Sequence, residues 1–437
     1  MKSRYLNESS TPLAKTGRTA SCVSIVMIVA LLFGSLAARA DVVLDWNNIA
    51  ADTITANGGN PFDGARYFAI VQLAVFEAVN SITGNYKPYL GTIVAPPGAS
   101  PYAAAAQAAH DVLVTYFSAS QATLDQQLAA SLAVIPNGQS KLDGIATGQA
   151  AAAAMIALRA SDGSAPPRFY PPGRSVPGAW QPTPTCPVIN DVAMGAFFHW
   201  QDVTPFGIAD AHAYRLGRPP ELTSNQYAKD YNEVMTVGSL NSNARPQDRA
   251  DVVLFYASTP PWVVFNQAAR QLAQERYHSL SENARVLAVL NMAISDSLVA
   301  SFYNKYHYVF WRPETAIHAG DADRNPKTTG DSTFLPFIST PCFPSYPSNH
   351  GSGSNAGAEV LRRFYGAAGH LITLSNPAIP NIVLQYKSLK QITNDISDAR
   401  VYGGFHFRFD QDAGAILGRT IATAVYKNNL RPVNDGD

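Results

Sequence analysis

The sequence predicts an all-α protein built from two packed helical bundles, and three observations carry that prediction. Apolar residues recur at three- and four-residue spacing through most long segments after residue 40. Alanine is abundant in the first half, where small side chains let helices approach closely, and no strand-rich region or internal repeat interrupts the pattern. One proline-rich stretch divides the periodic segments into an N-terminal and a C-terminal group.

In chain order, residues 1–40 read as a secretory signal. Lys2, Arg4, Lys15 and Arg18 precede the apolar run VSIVMIVALLFGSLAA, which ends in ARA before DVVLDW and so places cleavage after Ala40. The run is shorter than the roughly 20 residues of a span, which disfavours the alternative of an uncleaved membrane anchor. Cys22 precedes the run, out of place for lipidation, and no twin arginine is present. Residues 41–161 are expected to form the first bundle, from helices over 65–82, 102–117, 122–135 and 142–161. Residues 162–222 hold eleven of the thirty prolines and show no periodicity, so they are expected to connect the bundles or to cover a site. Residues 223–437 form the second bundle, with helices over 225–240, 249–258, 266–280, 281–312 and 413–429 and one more starting near Ser348–His350. No membrane span is expected once the signal is removed.

The 437 residues carry zero formal net charge and only 15% charged residues, which offers no electrostatic case for nucleic acid. After signal removal two cysteines remain, Cys186 and Cys342. In an exported chain they can pair as a disulfide or stay as two buried thiols.

Three short stretches of the second bundle concentrate the chemistry. In DSLVASFYNKYHYVFWRPETAI, Lys305 and Arg312 lie seven residues apart, within about 20° of one face of a continuous helix that Pro313 ends. The surrounding aromatic residues Tyr303, Tyr306, Tyr308, Phe310 and Trp311 speak for burial, and buried cations need partners. In PCFPSYPSNHGSGSNAG, prolines give way to a helix whose first N–H groups face Ser348 and His350, a setting suited to an anion. In SDARVYGGFHFRFDQDAG, Arg400 precedes a Gly-Gly turn, and His406 and Asp410 follow four residues apart near a helix start.

Clustered, Lys305, Arg312 and Arg400 repel one another by about 4 kcal/mol per pair at 4 Å and an effective dielectric near 20. The compensating charge is either a carboxylate (Glu314, Asp398 or Asp410) or a bound oxyanion. The patterns KxxxxxxRP, PSxH and RxxxGxHxxxD, in this order, resemble the three signature blocks of the vanadium-dependent haloperoxidases and the related acid phosphatases of the type 2 phosphatidic acid phosphatase superfamily. The resemblance implies the following roles. Lys305, Arg312 and Arg400 hold the non-bonded oxygens of vanadate or phosphate, helped by the Ser348 hydroxyl and the backbone N–H of Asn349. His406 bonds vanadium or attacks phosphorus, His350 is the acid–base group, and Asp410 stands behind His406. Asn349 departs from the family, which usually has glycine there. Phe343, seven residues before His350, holds the position where the family has an aromatic in chloroperoxidases and histidine in bromoperoxidases.

The resemblance implies an enzyme that oxidises halide with hydrogen peroxide, with vanadate as cofactor and an organic acceptor as further substrate. An exported phosphatase hydrolysing phosphate esters through a phosphohistidine is the alternative, and a secreted phosphate-sequestering protein without turnover is a third reading. His110, His199, His212, His278, His307, His318 and His370 lack metal-ligand spacing and are expected to be structural. No zinc signature, phosphate-binding glycine loop or serine-nucleophile elbow occurs.

Overall fold

The structure, a computed structural model, describes residues 41–276 and 278–433. The signal-sequence reading of residues 1–40 therefore lies outside the described residues. Among the described residues thirteen α-helices make two bundle-like regions, as the periodicity predicts. In the first region α1 (Val42–Ala56), α2 (Pro61–Thr83), α3 (Pro101–Tyr116), α4 (Gln121–Ala133) and α5 (Gln139–Arg159) follow one another. Their starts obey local chemistry: Asn60 accepts the N–H groups of Phe62 and Asp63 ahead of Pro61, and Ser100 accepts that of Ala103 ahead of Pro101. The alanines Ala103–Ala106, Ala108 and Ala109 are all fully buried.

The second region holds α6 (Asn225–Val237), α7 (Gln247–Ser258), α8 (Pro261–Arg276), α9 (Leu280–Tyr308), α10 (Pro313–Ala319), α11 (Asn349–Tyr365), α12 (Leu389–Tyr402) and α13 (Arg408–Asn428). Helix α9 is the shared axis, packing on α2 on one side and on α11 and α13 on the other. Among the described residues it alone is long and apolar enough to cross a membrane, and here it is almost wholly buried in protein. Its start is fixed by a reciprocal cap between Ser279 and Glu282.

Several elements depart from the periodicity. Helix α1, the short α10 and helix α12 are additional, and the hairpin of β3 (Ala368–Ser375) and β4 (Val383–Ser388) joins α11 to α12. A smaller hairpin, β1 (Val188–Ile189) with β2 (Val192–Ala193), lies in the proline-rich segment. That segment lies against the second region through backbone hydrogen bonds from Trp180 N to Val309 O and from Trp311 N to Gly178 O, both 2.8–3.0 Å. The predicted helix over 281–312 ends early. Val309 takes the left-handed conformation (φ 48°), so Arg312 leaves the α9 face and becomes the extended N-cap residue of α10, ahead of Pro313.

Candidate functional site

Three loops converge under α9, and each is shaped by its own sequence. In the first, the turn at Val309 swings Arg312 back toward Lys305, so the two cations meet although they no longer share a helix. In the second, residues 341–348 run without regular structure to Ser348. The Ser348 hydroxyl oxygen accepts the Gly351 N–H at 3.1 Å and opens α11. In the third, Gly404 sits at φ +86°, and a Cβ there would stand 2.3 Å from the Gly238 carbonyl oxygen; only glycine fits this turn between Arg400 and His406.

Lys305, Arg312 and Ser348 are fully buried, and Arg400 and His406 nearly so; His350 is the partly exposed member. Lys305 donates to the carbonyl oxygens of Pro344 (2.9 Å), Ser345 (2.8 Å) and Pro347 (2.5 Å), the demand of a three-proton ammonium. Arg312 donates through Nε to Phe343 O at 2.8 Å and through Nη1 to Phe405 O at 2.9 Å, and its Nη1 also lies 3.0 Å from His406 Nε2. Arg400 donates to Tyr256 O at 3.0 Å and stacks over the Phe405 ring at 4.3 Å. Phe343 lies beside both other cations, its ring centre 5.2 Å from Lys305 Nζ and 5.0 Å from the Arg312 guanidinium. Phe62, Phe197 and Phe302 back that ring.

His406 has a defined tautomer. Arginine only donates, so the Nε2 facing Arg312 is the lone-pair nitrogen, and Nδ1 carries the proton it gives to Asp410 Oδ2 at 2.8 Å. The same Oδ2 accepts from Ser345 Oγ at 2.6 Å and from the Phe407 N–H at 3.1 Å. Of the three candidate carboxylates, Asp410 is the one hydrogen-bonded to the cluster's histidine, while Glu314 acts on Arg312 through charge alone. Asp398 pairs instead with Arg249 and Arg408.

Burial governs the electrostatics. It holds the Arg312 and Arg400 guanidiniums down to about 9, and lowers Lys305 well below the usual amine range with help from Arg312. Burial with Arg400 and Lys305 depresses His350, and burial with Arg312, Lys305, Arg400 and His350 depresses His406, so both imidazoles are neutral at pH 7. Asp410 is pushed up to about 6 because burial outweighs the Ser345 hydrogen bond and the neighbouring cations.

Among the site residues, Arg312 Nη2, Arg400 Nε and Asn349 Nδ2 are buried N–H donors with no hydrogen-bond partner, and Trp311 Nε1 beside Arg312 is another. In a buried setting an unpaired donor costs about 1–3 kcal/mol. A species bearing several acceptor oxygens suits donors such as the Arg312 and Arg400 guanidiniums, and vanadate or phosphate is of that chemistry. Among the described residues no group of three or more histidine, cysteine, aspartate or glutamate side chains could hold a metal cation. The donors present suit an anion.

The structure thus brings together Lys305, Arg312, Phe343, Ser348, Asn349, His350, Arg400, His406 and Asp410. Asn349 is the first residue of α11 in ordinary helical geometry, a conformation that does not require the family's glycine. Cys186 and Cys342 form a disulfide, which ties the proline-rich segment to the residue before Phe343. Ser345, Ser301 and Phe405 are participants that the motif reading missed. Ser345 could have been found, two residues before Pro347 in the same stretch. Tyr256 could not, because it acts through its backbone carbonyl from 144 residues away. The seven remaining histidines lie outside this cluster; His110, for example, bridges Asp111 and Asp125 at 2.8 Å each.

The two packed helical regions, with a buried cation cluster around one oriented histidine in the second, have a vanadium chloroperoxidase (VCPO)-like fold. Residues 285–435 match the family described as the VCPO second helical-bundle domain. Vanadium chloroperoxidase of Curvularia inaequalis is 26% identical over 219 residues, 42% of this chain and 35% of that protein, so the match spans about a third of the curated relative's length. A bacterial vanadium-dependent iodoperoxidase superposes with a TM-score of 0.72 at 22% identity, over 90% of this chain and 98% of its own. The holo form of a bacterial vanadium-dependent chloroperoxidase gives 0.67 at 17% identity, over 84% and 92%. At these identities the superpositions establish the shared fold. The second bundle thus matches the VCPO second helical-bundle domain, and the described fold is that of the vanadium-dependent haloperoxidases of solved structure.

Proposed function

We propose that this chain is an exported, vanadate-dependent haloperoxidase-like enzyme that oxidises halide with hydrogen peroxide. The observation that carries the reading is the pair of buried, unpartnered arginine donors, Arg312 Nη2 and Arg400 Nε, beside the lone-pair nitrogen of His406. Vanadate held there supplies a Lewis-acidic centre that activates peroxide toward halide.

The chain's own residues have separable tasks. Arg312 and Arg400 hold the non-bonded oxygens of the anion through their free N–H groups. His406 would hold the central atom through its lone-pair Nε2, and Asp410 fixes that tautomer through Nδ1. Ser348 accepts from Gly351 and keeps its own O–H to donate, alongside the backbone N–H groups of Asn349 and His350 at the start of α11. Lys305 adds charge while its N–H groups pin the carbonyls of the 344–347 loop. His350, neutral and partly exposed, moves protons between the bound species and solvent. The Phe343 ring and the aromatics behind it keep bulk water off the cations. One aromatic at that position does not fix the halide.

A second reading, an exported phosphatase, draws on the same His406 Nε2. That nitrogen can attack the phosphorus of an ester as the bond to the alcohol oxygen breaks, with His350, once it has taken up a proton beside the bound anion, protonating the departing oxygen and water later releasing phosphate. The deciding experiment compares bromide-dependent peroxidase activity and phosphatase activity of the apo-protein before and after incubation with orthovanadate. Peroxidase activity that appears only with vanadate is the expected result. Phosphatase activity that vanadate suppresses, with no peroxidase activity gained, would transfer the assignment to the second reading.

A further inference from the structure

We infer that the Asn349 side chain is an additional hydrogen-bond donor to the bound oxyanion, and that Ser301 aims it; the inference rests on the oxyanion reading above. Asn349 is the first residue of α11, where the helix already directs backbone N–H groups outward, and it is 5% exposed. The Ser301 hydroxyl donates to Asn349 Oδ1 at 2.6 Å, which fixes the carboxamide with its oxygen on α9. The amide nitrogen Nδ2 is left buried with no partner.

Ser301 lies one helical turn before Lys305, on the same face of α9. One face therefore sets both the loop carbonyls, through Lys305, and the Asn349 amide, through Ser301. Like Arg312 Nη2 and Arg400 Nε, Asn349 Nδ2 is a buried donor of the site without an acceptor. A further cation at position 349 would add repulsion toward each cationic neighbour. A carboxamide adds two N–H bonds and no charge. It also places a side-chain donor where glycine offers only its backbone N–H, so this chain should grip tetrahedral oxyanions more tightly than its glycine variant does.

The test is calorimetric titration of the full exported chain with inorganic phosphate and, separately, with orthovanadate, in the parent and in Asn349→Gly, Asn349→Ala, Asn349→Asp and Ser301→Ala. Removing the donor in the Gly and Ala variants should weaken both anions about tenfold, which corresponds to about 1.4 kcal/mol. Asn349→Asp keeps the size and the Ser301 hydrogen bond but presents like charge to the anion, and should weaken binding by about a hundredfold or more. Ser301→Ala should cost less, about threefold, because the amide persists without its guide. Should the Gly or Ala variant fail to fold, Asn349→Asp carries the test. Gly and Ala variants that bind both anions as tightly as the parent, or more tightly, overturn the inference and leave the oxyanion reading standing. A parent that binds neither anion overturns both.

Discussion

Replacing Asp410 by asparagine should stabilise the anion-free protein while damaging the site. The carboxylate is fully buried, and its pKa rises from 3.8 to about 6, chiefly through burial. At 1.36 kcal/mol per pH unit, the ionised form therefore costs the fold on the order of 3 kcal/mol. The sign is opposite to that of a salt-bridged aspartate. Below pH 3.8 the group is protonated in both states and costs nothing; between 3.8 and about 6 only the folded state keeps the proton, so stability falls as pH rises; above about 6 the full cost is present. An asparagine side chain at this position can accept from His406, Ser345 and Phe407 through one oxygen and places its NH2 group where Oδ1 now lacks a partner. Asp410→Asn should thus melt above the parent at pH 8, with the gap closing toward pH 4. Because Asp410 positions His406, turnover of the loaded enzyme should still drop about 10–100-fold. The assay is thermal unfolding of phosphate- and vanadate-free protein from pH 4 to 8, beside activity. A variant less stable than the parent by the same margin at pH 4 and pH 8 would show that the hydrogen bonds to the carboxylate outweigh its burial, and the argument would fail.

Other expectations follow from separate parts of the molecule. Reducing Cys186–Cys342, which are 156 residues apart, should destabilise the fold by up to about 5 kcal/mol on chain-entropy grounds; an unchanged melting temperature in reductant would refute this. His110 loses affinity for its proton through burial but gains more from Asp111 and Asp125, so its pKa is raised above 6.5. Its stabilising effect is complete below pH 6.5 and fades as pH climbs through the raised folded value, so His110→Gln should be most destabilising near pH 5–6. Equal destabilisation at about pH 5.5 and about pH 9 would exclude that pairing. His406→Ala should abolish activity with weakened vanadate binding, whereas His350→Ala should retain most of the binding and lose about 10²–10⁴-fold in turnover. Full activity and an unchanged pH profile in His350→Ala would remove the acid–base role from that residue.

Much of the second bundle is legible in the sequence because its helices are amphipathic and its motif residues are local. Ser348 reads as a cap from one stretch, and the His406–Asp410 pair from a spacing of four. Periodicity places Lys305 and Arg312 on one helix face, and there it misleads, since nothing in YHYVFWRP announces a left-handed valine; the proline-rich segment imposes it by pairing with Val309 and Trp311. Helix α12 and the β3–β4 hairpin leave little trace for a related reason. The hairpin exposes Leu371 and Val383 and buries only alternate residues, a weak signal beside the helical runs. The Arg400–Tyr256 contact is invisible in principle, because a backbone carbonyl leaves no mark on residue type.

Helices α11 and α13 touch almost backbone to backbone. A Cβ at Gly414 would stand 2.6 Å from the Ser348 carbonyl oxygen, and one at Gly418 would stand 2.1 Å from that of Ser352. Gly418 is ten residues into α13, about 15 Å along the axis from the end that carries Asp410's turn. Even a methyl group there has to push the two helices apart, and their N-termini hold His350 on one side and the support of His406 on the other. The reach of the site is therefore longer than its contact radius. A substitution that meets no anion, no proton and no catalytic side chain can still change the separation of the two histidines, so harmful changes on this helix pair should follow the glycine seam more closely than they follow distance from the cations.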